Sequence, residues 1–160
     1  MKAVIIGCPG SGKSTFALKL SQKTKTPLFY LDSINWNCDK TTVSRDVFDR
    51  RLSEILRLDE WIIDGNYERT MKRRLQACNT VFLFDVPTEI CLDGAKERIG
   101  KKCEDMPWIA TEIDDGFLDF IKNFSSENLP KIYSILASFP DKKIIVFKSR
   151  KDADNFISRL

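Results

Sequence analysis

The sequence predicts an α/β protein whose parallel sheet is covered by helices on both faces, and three observations lead to this prediction. Short apolar runs alternate with amphipathic helical segments, which is typical of strands buried between two helical layers. The first apolar run leads into the glycine-rich segment GCPGSGKST at residues 7–15, and a helical segment follows it. Several of the later apolar runs end in an aspartate. The 160 residues contain no repeat, low-complexity segment or linker, so we expect one domain, 1–160.

Each element follows from apolar periodicity and from the residues that flank it. We predict strands at 4–6, 28–31, 61–63, 81–84 and 143–147 and helices at 14–23, 45–58, 69–78, 89–99, 111–124, 129–139 and 152–160. Pro27 and Pro140 break the chain before strands. Ser44 and Thr88 are the expected N-caps of the helices that follow them. Residues 33–43 are polar, and we expect them to be irregular, with Trp36 exposed.

The segment at 7–15, called here the phosphate loop, fits the Walker A pattern G-x-x-x-x-G-K-[ST] of nucleotide-binding P-loops. Its glycines allow consecutive N–H groups to surround a phosphate chain, and the following helix presents its positive end there. Lys13 can reach the β- and γ-phosphates, and the Ser14 hydroxyl can hold Mg²⁺. A structural Gly/Ser turn is the alternative, but the strand–loop–helix context favours ATP and Mg²⁺ as cofactors. The predicted nucleotide-binding residues are Gly7, Pro9, Gly10, Ser11, Gly12, Lys13, Ser14 and Thr15.

The amino-acid composition limits the partners and the catalytic groups that this chain can use. The net charge of +3 predicts neither general nucleic-acid affinity nor membrane affinity, and no apolar run approaches the ~18 residues of a membrane span. There is no histidine, and the five cysteines form no C-x-x-C pair, which argues against zinc and indicates reduced thiols in a cytoplasm. A cleaved signal peptide would remove the phosphate loop, so none is expected. Catalysis must therefore depend on carboxylates, lysine, arginine, Mg²⁺ and backbone dipoles; the oligomeric state stays open.

Three aspartates follow predicted strands: Asp32, Asp64 and Asp85. Because ligands of open parallel sheets bind at the carboxyl ends of the strands, all three are expected at the edge that carries the phosphate loop. Aspartate is also a common turn residue, and we prefer that interpretation for Asp85. We expect Asp64 on the Mg²⁺ side and Asp32 at the acceptor, as a base or an orienting group.

Cations are also needed, because negative charge spreads over the group being transferred. Arg69, Arg74 and Arg98 are the expected phosphate ligands, since an arginine fork binds phosphate through two hydrogen bonds. The nearby lysines are as easily explained by a solvated surface. The charged loop 100–107 lies where a closing lid is expected. Trp36 and Tyr67 could stack on a substrate ring or pack beneath their own loops.

Four stretches together resemble the adenylate-kinase-like P-loop kinases. They are the phosphate loop, L-D at 31–32, W-I-I-D-G-N-Y at 61–67 and F-D-V-P at 84–87. The third is similar to a bacterial branch known as DNA topology modulation proteins. The resemblance implies a P-loop NTPase three-layer sandwich with sheet order 2-3-1-4-5. It also implies a substrate-binding helical insertion at 33–58 (the acceptor insertion) and a lid at about 94–108 (the lid segment).

The chain departs from adenylate kinases where those enzymes read AMP. Glu68 stands in place of an arginine, Lys72 in place of a base-reading glutamine, and Gly94 in place of the lid arginine that stacks on adenine. Arg98 matches the second lid arginine. The resemblance therefore implies that the phosphoryl-transfer machinery is retained and that the AMP-reading parts are lost; the identity of the acceptor stays open.

The expected function is ATP- and Mg²⁺-dependent transfer to a small molecule, a nucleotide or nucleoside. A nucleotide-binding regulatory protein of the topology modulation type is the alternative, and it depends on the basic segment from Arg69 to Arg74. A GTPase switch would need an N-K-x-D element, which is missing. The predicted catalytic residues are Lys13, Asp32, Asp64, Arg69, Arg74 and Arg98, and the predicted metal ligands are Ser14 and Asp64.

Overall fold

Five parallel strands form the centre of the structure, a computed structural model that describes residues 1–160. They are β1 (Lys2–Gly7), β2 (Leu28–Tyr30), β3 (Trp61–Asp64), β4 (Thr80–Phe84) and β5 (Lys143–Phe147). Their order is β2-β3-β1-β4-β5, which confirms the order implied by the family resemblance. In the register, Tyr30 pairs with Asp64, Ile5 pairs with Asp64, and Gly7 pairs with Phe84. The carboxyl ends of the strands therefore lie along one edge, which carries the phosphate loop.

Eight α-helices surround this sheet. They are α1 (Lys13–Thr24), α2 (Leu31–Asn35), α3 (Arg45–Arg57), α4 (Glu68–Ala77), α5 (Thr88–Glu97), α6 (Asp115–Asn123), α7 (Leu129–Ala137) and α8 (Arg150–Ser158). A π-helical turn, Phe124–Asn128, joins α6 to α7. The apolar residues of β1, β3 and β4 are almost fully buried, as expected for strands between two helical layers. The edge strand β5 keeps several exposed positions.

The helix ends show which local signals were sufficient. Ser44 is confirmed as an N-cap, because its Oγ accepts a hydrogen bond of 3.3 Å from the backbone N–H of Val47. The prediction for Thr88 is wrong: Thr88 is the first residue of α5, and Pro87 precedes it without a side-chain cap. Helix α8 begins two residues earlier than predicted, since Ser149 caps it by accepting from the N–H of Asp152 at 3.1 Å.

Residues 33–43 are more ordered than their polarity indicates. The short helix α2 covers the first of them, and an antiparallel bridge joins Trp36 to Thr42. Trp36 is half-buried rather than exposed, because its ring packs edge-on against Trp108 with centroids 5.5 Å apart. Tyr67 likewise packs beneath its loop, stacked on Phe48 at 5.2 Å. None of the helices combines the length and the apolar character that crossing a membrane requires.

Candidate active site

The phosphate loop connects β1 to α1, and Asn66 holds its first residue in place. The side-chain Oδ1 of Asn66 accepts from the N–H of Gly7 at 3.0 Å, and its Nδ2 donates to the Gly7 carbonyl at 2.9 Å. This pair of bonds spans 59 positions of sequence and ties the loop to the D-G-N-Y segment after β3. Asn66 is thus a positioning residue that the sequence analysis did not identify, although it lies within the motif that carries the family resemblance.

On its other side, the loop packs directly against helix α5. Gly10 has a positive φ of 79°, and a Cβ at Gly94 would lie 2.1 Å from the Gly10 carbonyl oxygen. No side chain fits at Gly94, so the adenine-stacking arginine of adenylate kinases has no room there. Instead Arg150, from α8, donates to the Gly10 carbonyl at 2.8 Å. A cation from the far end of the chain therefore takes a place beside the loop.

Ser14 and Asp64 meet at the base of the loop. The Ser14 hydroxyl donates to Oδ2 of Asp64 at 2.6 Å, while Oδ1 of Asp64 is buried without a hydrogen-bond partner. Burial raises the pKa of the Asp64 carboxyl, and the Lys13 ammonium and the Ser14 hydrogen bond oppose that rise. A hydroxyl beside a carboxylate with a free oxygen is a donor set that fits Mg²⁺, which prefers oxygen ligands and takes few from the protein. No group of three or more His, Cys, Asp or Glu side chains forms a complete metal cage by itself.

Asp32 lies in the first turn of α2, two residues beyond the end of β2. Strand β2 is the neighbour of β3 in the sheet. Its Oδ1 accepts from the Tyr67 hydroxyl at 2.7 Å. Burial and the Asp32 carboxylate raise the pKa of Tyr67 above its ordinary range, so the phenol remains a donor. Asp32 is only half-buried, and its second oxygen is free to meet a substrate hydroxyl.

Asp85 has the structural role that its position before Val-Pro indicates. It accepts from the Tyr133 hydroxyl at 2.7 Å and pairs with Lys148. These contacts join the end of β4 to α7 and to the end of β5. Asp85 therefore takes no part in the constellation around Lys13.

The three predicted phosphate-binding arginines have different environments. Arg98 is half-buried in the lid segment, and its Nη2 donates to both carboxylate oxygens of Asp105 at 2.7 and 2.8 Å. Arg69 is largely exposed on α4 and forms a two-pronged pair with Asp49 of α3, at 3.0 and 2.7 Å. Arg69 thus faces the acceptor insertion, and Arg98 faces the phosphate loop.

Arg74 is a correction to the predicted site. Its guanidinium is fully buried and donates to the backbone carbonyls of Gly65 at 2.8 Å, Tyr67 at 3.1 Å and Asn66. Burial lowers its pKa to about 10. Because the buried guanidinium donates to the backbone carbonyls of the D-G-N-Y segment, Arg74 stabilises the conformation of that segment and is not exposed to a phosphate.

A cavity of about 440 Å³ lies between the phosphate loop, the lid segment and α8. Its cationic lining residues are Lys13, Lys19, Arg98, Lys101, Lys102 and Arg150. Glu97, Glu104, Asp105 and Asp154 also line the cavity, and the remaining excess of positive charge beside the loop suits a triphosphate. No residue of the acceptor insertion lines this cavity, so the substrate-binding role implied for 33–58 is not located in it.

No family model and no curated protein matches the sequence. Solved structures do. The shikimate kinase of Aquifex aeolicus is similar over 99% of this chain and 93% of its own, with a TM-score of 0.60 and 20% identity. The shikimate kinase of Bacteroides thetaiotaomicron gives a TM-score of 0.61 over 98% and 94%, with 16% identity. An unliganded sugar kinase of Janibacter sp. gives 0.52 over 98% and 90%, also with 16% identity.

The chain has the shikimate kinase fold. At these identities the likeness establishes the architecture alone, a five-stranded parallel sheet of order 2-3-1-4-5 between helices. The resemblance to adenylate-kinase-like P-loop kinases agrees with this fold. The DNA topology modulation branch receives no support from the comparisons.

Within the shikimate kinase fold, two further residues of the site escaped the sequence analysis. Asp105 was one charge within a charged loop, and Arg150 preceded the predicted start of the last helix. Each is distant in sequence from its partner: Asp105 lies 91 positions from Ser14, and Arg150 lies 140 positions from Gly10. Local sequence carries no signal for such pairs.

Proposed function

We propose that this chain is an ATP- and Mg²⁺-dependent kinase that transfers the γ-phosphoryl group to a hydroxyl group of a small molecule. The observation that carries the proposal is a two-sided arrangement at one sheet edge. Ser14, hydrogen-bonded to Asp64, lies beside Lys13 of the phosphate loop, and Asp32, oriented by Tyr67, lies at the end of the outer strand. The fold supports it, since the similar structures are named as shikimate kinases and a sugar kinase.

On the nucleotide side, Lys13 and the N–H groups of the phosphate loop would bind the triphosphate. Ser14 and Asp64 would hold Mg²⁺, which when bound neutralises charge on the β- and γ-phosphate oxygens. Arg98 lines the cavity from the lid segment and would stabilise the charge that develops on the transferred group. Closure of the lid segment would exclude water that could otherwise hydrolyse ATP.

On the acceptor side, Asp32 would accept the proton of the attacking hydroxyl. The hydrogen bond from Tyr67 fixes one oxygen of the carboxylate and leaves the other for the substrate. A nucleotide or nucleoside is the proposed acceptor class, taken up beside the acceptor insertion. Support comes from the neighbouring Phe48–Tyr67 stack and from Arg69, whose guanidinium lies 5.8 Å from the Phe48 ring centre. Phe48 is buried, so only the half-buried Tyr67 ring could meet a substrate ring, and Arg69 would have to exchange Asp49 for a phosphate.

The regulatory alternative depended on a basic surface from Arg69 to Arg74, and this surface is small. Arg74 is buried, Arg69 is paired with Asp49, and Arg73 donates to Ser53. The segment therefore offers few free cations to a nucleic acid or to an acidic partner.

The test is a panel assay of ADP release from Mg²⁺-ATP. The panel contains nucleoside monophosphates, nucleosides, shikimate, sugars and other hydroxylated metabolites, each assayed with the wild type and with Lys13→Ala. We expect one acceptor class to raise ADP release well above bare hydrolysis in the wild type only. A flat panel in a protein that still binds ATP would refute the kinase assignment and favour the regulatory alternative.

A further inference from the structure

Two carboxylates converge on the hydroxyl of Ser14, one from the sheet and one from the lid segment. Oδ2 of Asp64 lies 2.6 Å from Ser14 Oγ, and Oδ2 of Asp105 lies 3.4 Å from the same atom. Asp105 is only 5% exposed, although its neighbour Glu104 is exposed to solvent. Of the acidic side chains in the lid segment, only that of Asp105 is buried, at the proposed metal-binding corner.

The backbone of the lid segment is held in the same position. The Ser33 hydroxyl, next to Asp32 in α2, donates to the backbone carbonyl of Asp105 at 3.1 Å. Asp105 is therefore anchored on the acceptor side through its backbone and on the nucleotide side through its carboxylate. This arrangement places one residue in contact with both halves of the site.

The charges at this corner are incompletely satisfied. A hydroxyl has one proton, so Ser14 donates fully to only one of the two carboxylates. Oδ1 of Asp64 is buried and has no hydrogen-bond partner, which is costly for a carboxylate oxygen. Arg98 balances Asp105, but it lies on the lid side of that carboxylate. Since Arg98 donates to both oxygens of Asp105, the unpartnered oxygen is Oδ1 of Asp64, and a small divalent cation among the Ser14 hydroxyl and the two carboxylates would balance the charge of Asp64.

We propose that Asp105 is a third protein ligand of the Mg²⁺ site, supplied by the lid segment alongside Ser14 and Asp64. This inference rests on the proposed function and deepens it. Two carboxylates and a hydroxyl suit an ion that takes oxygen ligands and completes its shell with phosphate oxygens and water. Because Asp105 lies in the lid segment, a metal ion that it holds would fix the position of that segment over the phosphate loop. With the Asp105 carboxylate bound to the ion, Arg98, which now donates to that carboxylate, would be free to contact the phosphate.

The test measures metal binding directly, with the full chain and Mn²⁺ as the probe. Free Mn²⁺ is followed by electron paramagnetic resonance during titration of the protein saturated with ADP. Asp105→Asn keeps the size of the side chain and removes its charge, whereas Asp105→Glu restores a carboxylate. Glu112→Gln is the matched control, because Glu112 carries the same charge beyond the lid segment, is exposed and forms no hydrogen bond or ion pair.

We expect Asp105→Asn to weaken Mn²⁺ binding at least about tenfold, because even indirect partners of a metal commonly contribute that much. Asp105→Glu should recover part of the affinity, and Glu112→Gln should bind Mn²⁺ as the wild type does. Unchanged Mn²⁺ affinity in a folded Asp105→Asn protein would overturn the proposal. Tighter ADP binding by Asp105→Asn without metal, with Mn²⁺ affinity unchanged, would overturn it in favour of a carboxylate that blocks the phosphate site.

The outcome also separates this inference from the proposed function. Loss of Mn²⁺ affinity in Asp105→Asn supports the metal ligand even if no acceptor in the panel is phosphorylated. A wild-type chain that binds neither ADP nor Mn²⁺ would overturn both proposals. Phosphorylation of an acceptor with unaltered Mn²⁺ binding in Asp105→Asn would overturn the metal ligand alone.

Discussion

Substituting alanine for Gly94 tests the packing of helix α5 against the phosphate loop. The added Cβ would lie 2.1 Å from the carbonyl oxygen of Gly10 and 2.2 Å from Nη2 of Arg150. Real Cβ atoms essentially never come within 3.0 Å of such atoms, so helix and loop must separate by roughly 1 Å. The backbone of Gly10 cannot yield easily, because it is part of a tight turn with φ of 79°.

The magnitude follows from three contributions. Overpacking costs about 1–3 kcal/mol. Weakening the 2.8 Å hydrogen bond from Arg150 to Gly10 costs up to about 1.5–3 kcal/mol, since the donor is charged. Alanine returns about 1 kcal/mol, because it is the better helix former. The net loss is about 1.5–5 kcal/mol, which corresponds to a fall in Tm of about 3–20 °C for a chain of this length.

The assay combines thermal unfolding by circular dichroism with ADP binding by calorimetry. Gly116→Ala, in helix α6, is the matched control: its Cβ would meet only Oδ2 of Asp114, at 3.0 Å, and this oxygen, which caps α6 by accepting from the N–H of Phe117, would have to shift by a few tenths of an ångström. We expect the free energy of unfolding of the control to stay within about 1 kcal/mol of the wild-type value. Gly94→Ala should unfold at a lower temperature and bind ADP more weakly. If Gly94→Ala melted no earlier than the control and bound ADP normally, the close approach of α5 to the loop would be refuted.

Three further substitutions separate catalysis from architecture. Lys13→Ala should lower turnover by roughly 10²–10⁴-fold, because about 3–5 kcal/mol of charge stabilisation is lost; unchanged turnover would remove the phosphate loop from the reaction. Asp32→Asn should abolish acceptor phosphorylation while ATP affinity, measured by calorimetry, stays at the wild-type level; equal loss of both would contradict its role as the acceptor's base. Arg74→Met leaves three carbonyls without their donor, so it should lower the free energy of unfolding by at least about 3 kcal/mol in a denaturant titration. If Arg74→Met kept wild-type stability but lost turnover, the result would instead support the predicted catalytic role of Arg74.

Much of the fold could be predicted because its signals are local. The Walker A spacing and the apolar run before it place the phosphate loop between β1 and α1, as the structure has it. The Ser44 cap was predictable because an N-cap bond joins residues three positions apart. The prediction that Thr88 caps α5 was wrong because the helix begins one residue earlier than expected: Pro87 holds the N-cap position, and Thr88 already lies inside the helix.

The candidate site could be predicted only in part. The sequence located Asp32 and Asp64 at strand ends, and strand ends share an edge in any parallel sheet. It could not reveal that Asp32 is oriented by Tyr67, or that one oxygen of Asp64 is buried without a partner. The sequence therefore shows which kind of side chain stands at each strand end, but it does not show which hydrogen-bond partners that side chain has in the folded protein.

By itself, then, the sequence determined the order of the strands and of the longer helices, the phosphate loop and the edge of the sheet where chemistry is possible. Only the tertiary structure decided which charged groups face that edge. Arg74 and Arg98 have similar sequence surroundings, yet Arg74 donates to buried backbone carbonyls, whereas Arg98 forms an ion pair with Asp105 beside the phosphate loop. The physical reason is that periodicity and capping act over a few residues. Hydrogen bonds such as that between Ser14 and Asp105 join residues 91 positions apart, and packing alone brings them together.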